Sequence, residues 1–383
     1  MSSDSPPPDS EAPGLYLHVP FCRSKCRYCA FYSEPVAGHD VPRLVSALRA
    51  EVGRYRSVQA VRTVYVGGGS PISLPVDQLA SLIDTVASIW PNTEEFTVEC
   101  NPGQTDVEML SMLARCGVNR LSFGVQSFHT SELELLGRRH SVDDAVRSVR
   151  QAQYLGFANV GIDLIFAVPG STLDSWQQCL ESALSLSIQH ISTYSLSFES
   201  GTPLYEAHRL GRIESIEENT DRAMYELAID LLASAGFAQY EISNFAREGF
   251  ECVHNMGCWE NRPYIGIGPS AASYWLGERT ANVADIDAYI RRIEAGLPAT
   301  EQRQQSNRDD RICETAVLNM RTRRGVDLAD FQRRTGADFR KIFERPLRRY
   351  EREGLIETGA GRVCLSRRAL AVADSVLCDF SSL

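Results

Sequence analysis

From Leu15 to about Leu196 the chain alternates short apolar runs with longer amphipathic stretches, and this alternation restricts the possible fold more than any other feature. The strand-like runs are Leu15–Val19, Val61–Val66, Phe96–Cys100, Arg120–Val125, Val160–Val168 and His190–Leu196. Between them, apolar residues recur at helical spacing over Val41–Tyr55, Val76–Trp90, Asp106–Cys116, Val142–Leu155 and Leu173–Leu184. Strands and helices taking turns predict a parallel sheet with crossover helices. Six such units predict an α/β partial (β/α)6 barrel that stays open, short of the eight strands that close one.

After Ser197 the pattern loosens. A long amphipathic helix is expected over Ile216–Ala235, then an irregular aromatic block from Tyr240 to Trp275 and a polar linker near Leu297–Asn307. Helical patterns at Asp309–Met320, Leu328–Thr335 and Phe339–Glu353 then lead into a Gly-punctuated hairpin, which together predict a small winged-helix-like α+β domain. The expected boundaries are a disordered Ser- and Pro-rich tail at 1–13, the barrel at 14–200, a barrel extension at 201–300 and the C-terminal domain at 301–383. No run of eighteen apolar residues reads as a membrane span, and the tail lacks the apolar core of a secretory signal. Eleven mostly scattered cysteines argue against a disulfide framework and for a reducing, cytoplasmic setting. Net charge is −10, yet residues 301–383 carry 17 Lys+Arg against 13 Asp+Glu. A solvated mixed-charge surface explains that basic end more economically than nucleic-acid binding.

Three cysteines follow the first strand run directly, at Cys22, Cys26 and Cys29, spaced C-x3-C-x2-C. Three thiolates supply one ligand fewer than a closed [4Fe–4S] cluster uses. One iron is left open, and S-adenosylmethionine (SAM) can chelate there and be cleaved reductively. The competing reading, structural or zinc thiols, usually brings a full set of four close ligands.

In parallel α/β folds, ligands collect at the carboxyl ends of the strands. The second strand run ends in Gly67-Gly68-Gly69-Ser70, where glycines would let backbone approach a ligand closely. Glu99, Gln126 and Asp163 place acids or an amide at the ends of later runs or within them. A polar group satisfied by backbone is the plain alternative for each.

Taken together, these residues resemble the radical-SAM subfamily that contains the oxygen-independent coproporphyrinogen III dehydrogenase HemN and the heme chaperone HemW. The likeness runs from Gly14 to the C-terminus, and it includes Gly161-Ile162-Asp163-Leu164-Ile165-Phe166 as a fifth-strand signature. It implies cluster ligation by Cys22, Cys26 and Cys29. It also implies SAM contacts from Tyr16, Tyr28, Gly68, Gly69, Ser70, Glu99, Gln126, Arg138 and Asp163. The dehydrogenase branch extends its motif to a fourth cysteine, where this chain has Phe31, and it carries a longer N-terminal arm. Both departures favour the chaperone branch.

His254-Asn255-Met256-Gly257-Cys258-Trp259 resembles that branch's heme-associated H-N-x-x-Y-W segment, with Cys258 at the tyrosine position. A neutral imidazole is a good axial ligand for heme iron. Ala272 stands where the family commonly has a second histidine, so His254 is expected to ligate alone or with the Cys258 thiolate. A zinc site on Cys252 and Cys258 lacks a fourth ligand nearby. The resemblance therefore implies a chaperone that binds heme, carries a SAM-associated cluster and passes heme to an acceptor apoprotein, with homodimerisation a further expectation. The alternative is a radical enzyme acting on a porphyrin, for example by decarboxylating propionates to vinyls.

Overall fold

The structure is a computed structural model that describes residues 12–383. Most of the expected N-terminal tail lies outside the described residues. Pro13 is already buried, and its carbonyl accepts the Arg62 N–H at 2.9 Å.

Six parallel strands appear where the apolar runs predict them: β1 Gly14–Val19, β2 Thr63–Gly68, β3 Glu95–Cys100, β4 Arg120–Gln126, β5 Asn159–Phe166 and β6 His190–Ser195. They pair in sequence order, each with the next. The sheet does not close. Strand Tyr264–Ile267 joins β1 in parallel, followed outward by antiparallel strands at 272–275, 278–282 and 300–305. On the other side β6 pairs with Asn244–Ala246 and then Ala238–Gln239.

Crossover helices Val41–Arg54, Val76–Ile89, Val107–Arg115, Val142–Tyr154 and Leu173–Leu184 cover one face. Their starts are chemically marked. Asp40 and Asp106 accept backbone N–H groups of the first turn, and Ser141 with Asp144 and Thr172 with Ser175 form reciprocal capping boxes. Because successive strand residues face opposite sides, the six strands sort their residues by chemistry. Val64, Val98, Leu121, Ile162 and Ile191 are fully buried in the hydrophobic core. Tyr65, Glu99, Arg120, Asp163, His190 and Ser192, on the opposite parity, line an open cavity instead. The strands' alternation thus builds a core and a polar trough at once.

Three expectations need correction. The aromatic block from Tyr240 to Trp275 is not irregular: it holds strands Asn244–Ala246, Tyr264–Ile267 and Ala272–Trp275 and helix Val253–Trp259. The polar stretch 297–307 contains an edge strand, Thr300–Gln305, rather than a linker; exposed polar side chains suit an edge that nothing else pairs. The helix expected over Phe339–Glu353 splits into Phe339–Ile342 and Glu344–Arg352. Pro346 has no N–H to offer the Ile342 carbonyl four residues back and its ring would clash with it, so the helix restarts with proline in its first turn. A helix at Thr130–Leu136 has no counterpart in the periodic reading. The C-terminal helices Arg308–Met320 and Leu328–Thr335 pack beside a three-stranded antiparallel sheet of 326–327, 362–365 and 356–359, the expected winged-helix-like arrangement.

Candidate functional site

A cavity of about 930 Å³ opens at the carboxyl ends of the six strands. Cys22, Cys26 and Cys29 sit in the loop after β1 and line it together. This loop is pinned from both sides: the Arg27 N–H donates to the Leu136 carbonyl at 3.0 Å, and the Arg27 carbonyl accepts from Leu204 N–H at 2.9 Å. The helix that the periodic reading lacked therefore supports the cysteine loop. Burial pushes the Cys22 and Cys29 thiols up. Among the described residues, no three His, Cys, Asp or Glu side chains converge to hold a single metal ion.

Arg138 joins the loop to the barrel. Its Nη1 donates to Cys26 Sγ at 3.3 Å, and its Nη2 donates to Asn101 Oδ1 at 2.6 Å and to the Gly124 carbonyl at 2.5 Å. Burial works against its charge, while the neighbouring Tyr28 and Cys26 side chains favour it and the guanidinium stays protonated. Such a cation suits an anionic thiolate cluster. Gln126 reaches the same cavity from a β-bulge, where the β4–β5 register slips and its φ is 71°. A left-handed backbone costs a non-glycine residue on the order of 1 kcal/mol.

Glu99 is half-buried near the end of β3. It accepts the Tyr65 hydroxyl at 2.7 Å, and burial pushes its carboxyl up to about 7. Asp163 is likewise raised by burial and is held by the Ser192 and Ser122 hydroxyls.

The glycine motif has a different physical reason from the one its sequence suggests. A Cβ on Gly69 would sit 2.5 Å from the Phe21 carbonyl oxygen, and one on Gly68, whose φ is 107°, would sit 2.7 Å from the His18 ring. The Gly69 and Ser70 N–H groups are taken by the Val19 and Phe21 carbonyls. These glycines make room for the protein's own β1 and cysteine loop. The polar atom left over is Ser70 Oγ, buried without a partner beside the cavity.

Of the expected SAM contacts, Tyr28, Gly68, Gly69, Ser70, Glu99, Gln126, Arg138 and Asp163 line this cavity. Tyr16 does not. Its hydroxyl lies 3.1 Å from His18 Nδ1 and borders a second cavity of about 430 Å³, with Tyr65, Glu99, Phe31 and Asn255 shared between the two.

His254 and Cys258, one helical turn apart on helix Val253–Trp259, both line the second cavity, as does Ala272. The His254 ring packs on Tyr65 at 5.2 Å between centroids, and its Nδ1 lies 2.9 Å from the Thr63 hydroxyl. Burial, aided by Arg120, lowers its pKa to about 4, which keeps the imidazole neutral. Burial pushes the Cys258 thiol up to about 11. Glu95 on β3 accepts the Val253 and His254 N–H groups at 2.9 and 3.0 Å and so anchors the start of this helix to the barrel.

Residues that sequence reasoning missed include Tyr65, Asn101, Arg120, His190 and Ser192. All but Asn101 lie at odd positions of their strands, on the trough face, a signal available once strand parity is fixed.

The chain matches the Radical SAM superfamily over residues 16–183 and the HemN C-terminal domain over 307–372. It is 34% identical over 372 residues to the heme chaperone HemW of Bacillus subtilis (strain 168), covering 95% of this chain and 98% of that one. It is 31% identical over 396 residues to the mitochondrial radical S-adenosyl methionine domain-containing protein 1 of Danio rerio, covering 98% and 88%. The fold superposes on coproporphyrinogen III oxidase (HemN) from Escherichia coli, a radical SAM enzyme, with a TM-score of 0.84, 20% identity and coverage of 98% and 91%. With a thiol-lined cavity at the mouth of an open six-stranded barrel and end-to-end similarity of this extent, the chain belongs to the HemW family of the radical SAM superfamily.

Proposed function

We propose that this protein is a heme chaperone that carries a [4Fe–4S] cluster and SAM beside a separate heme site, and hands heme to an acceptor apoprotein. The observation that carries the reading is the similarity to HemW over 95% of the chain. The geometry supports it, because a thiol- and carboxylate-lined cavity adjoins a second one walled by tyrosines and a neutral histidine.

Cys22, Cys26 and Cys29 would hold three irons, with Arg138 offsetting their negative charge. The unpartnered Ser70 hydroxyl and the Glu99 and Asp163 carboxylates suit the ammonium, hydroxyls and sulfonium charge of SAM. When bound, the pair supplies one-electron reductive cleavage of a sulfonium. In the second cavity Thr63 occupies His254 Nδ1, so Nε2 is the nitrogen a heme iron would meet, and Cys258 stands one turn away. Tyr16 belongs to this second site in our reading. Eleven free cysteines suit a reducing compartment such as the cytoplasm, and no helix of the described residues is long and apolar enough to cross a membrane.

The test is an anaerobic titration of cluster-reconstituted protein with hemin, followed by absorbance. Saturation near one heme per chain, weakened more than tenfold in His254→Ala, is expected. Absence of specific hemin binding, together with turnover of coproporphyrinogen III in the presence of SAM and reductant, would replace the chaperone with a radical enzyme acting on a porphyrin.

A further inference from the structure

The helix that carries His254 and Cys258 does not owe its shape to itself. Val253–Trp259 is seven residues long and has Gly257 inside it. Isolated helices shorter than about 12–15 residues are marginal in water, and an interior glycine weakens them further. Residues four apart share a helix face, so His254 and Cys258 border one cavity together only while both turns stay wound. Whatever holds this helix therefore places its two heme-facing side chains.

At its start the holder is the barrel, through Glu95. At its end the carbonyls can be followed one by one. Those of Met256, Gly257 and Cys258 accept the Glu260, Arg262 and Asn261 N–H groups, in a turn where Asn261 has a φ of 54°. The next three, of Trp259, Glu260 and Asn261, all accept from side chains of the C-terminal domain. Asn319 Nδ2 donates to the Trp259 carbonyl at 3.0 Å. Arg334 spans the other two, with Nη1 donating to Glu260 and Nη2 to Asn261, each at 2.6 Å. Two further contacts reach the same segment. Thr315 Oγ1 accepts from the Asn261 side-chain amide at 3.0 Å, and the Arg321 guanidinium lies 4.9 Å over the Trp259 ring. Thr315, Asn319, Arg321 and Arg334 all fall in the region that matches the HemN C-terminal domain.

Arg334 has the chemistry for this place. A cation is favoured at the carbonyl end of a helix, and charge-assisted hydrogen bonds are stronger than neutral ones. We propose that the C-terminal domain positions the heme-binding helix, with Arg334 as its principal positioning residue. The domain keeps the second turn wound, and so keeps Cys258 beside His254 in the second cavity. This inference rests on the reading of that cavity as the heme site, and gives the domain a task there: it sets how firmly heme is held before transfer.

The test uses cluster-reconstituted protein loaded with hemin and mixed with excess apomyoglobin, with transfer followed by absorbance. Arg334→Ala is expected to release hemin at least fivefold faster than the parent and to shift the Soret band of the bound hemin. Arg334→Lys, which keeps the charge and a donor, should recover most of both. Gln332→Ala, on the same helix but exposed, should match the parent. Asn319→Ala frees a single carbonyl and is expected to speed release at least twofold, which carries the test should Arg334→Ala fail to fold. Parental release and an unmoved Soret band in the Arg334 and Asn319 variants would overturn the positioning role. Equal acceleration in Gln332→Ala would assign the effect to general loosening of the domain and overturn it too. A parent that takes up no hemin would overturn the heme reading and this inference with it, whereas a parent that binds hemin beside variants that release it at the parental rate would overturn this inference alone.

Discussion

The two cavities that meet at Tyr65 and Glu99 are built from opposite materials. The larger is walled by charged groups and strand ends: three thiols, Arg138, Glu99, Asp163, and polar atoms left without partners. The smaller is aromatic, with Tyr16, Tyr65, Tyr264 and a histidine kept neutral by burial. The first stores unsatisfied charge, which suits a small ionic ligand and a cluster. The second stores apolar area and one good metal-ligating nitrogen, which suits a flat aromatic ligand. Sharing a wall teaches that two ligand chemistries can sit side by side on one sheet, because β2 and β3 supply both rims.

The largest effect should come from Cys26→Ala. Iron and sulfide in the reconstituted protein are expected to fall to background, while hemin saturation through His254 persists. Loss of both together would join the two cavities into one functional unit and break the comparison.

Proton linkage should separate the cavities next. Glu99 keeps its proton in the fold up to about pH 7, above its unfolded value, so the folded chain binds more protons between those values. Its contribution to stability therefore falls as pH rises toward 7, and a cationic ligand that needs the ionised form binds more tightly over the same interval. SAM affinity should rise several-fold from pH 6 to pH 8, and Glu99→Gln should flatten that slope. His254 runs the other way: its folded pKa of about 4 lies below the unfolded one, so its neutral form is already complete above pH 6. Hemin affinity should be flat between pH 6 and 8. A common slope for both ligands, measured by calorimetry, would refute the separation.

The smallest effect concerns Phe31, which borders both cavities yet is 71% exposed. Phe31→Ser should shift stability by less than about 0.5 kcal/mol, and the iron content should not change. A gain or loss of iron in that variant would mean that this fourth position of the motif still governs the cluster.

Much of the fold was legible because strand and helix periods leave separate marks. All six barrel strands and the five crossover helices lie within a few residues of the expected bounds. Legibility failed where local pattern was weak or overruled. Thr300–Gln305 has no apolar alternation, since an exposed edge does not require it. Helix Thr130–Leu136 is too short for a clear period. At the site, motif residues were visible through their spacing, whereas Arg120 and His190 stand in ordinary strand sequence and gain meaning only from the neighbours across the sheet.

The three-thiol loop, the β/α order and the residues whose chemistry can meet a cluster, a sulfonium or a heme are all written along the chain. These depend on residue type and spacing along one chain, and such features are local. Tertiary structure decided what those residues do with one another. It set Gly67 against Glu99, Gly68 against His18 and Gly69 against Phe21, put Tyr16 in the second cavity, and packed Arg120 and His190 against Gly161. Those outcomes rest on sheet register and on the packing of segments tens of residues apart, which no window of sequence contains.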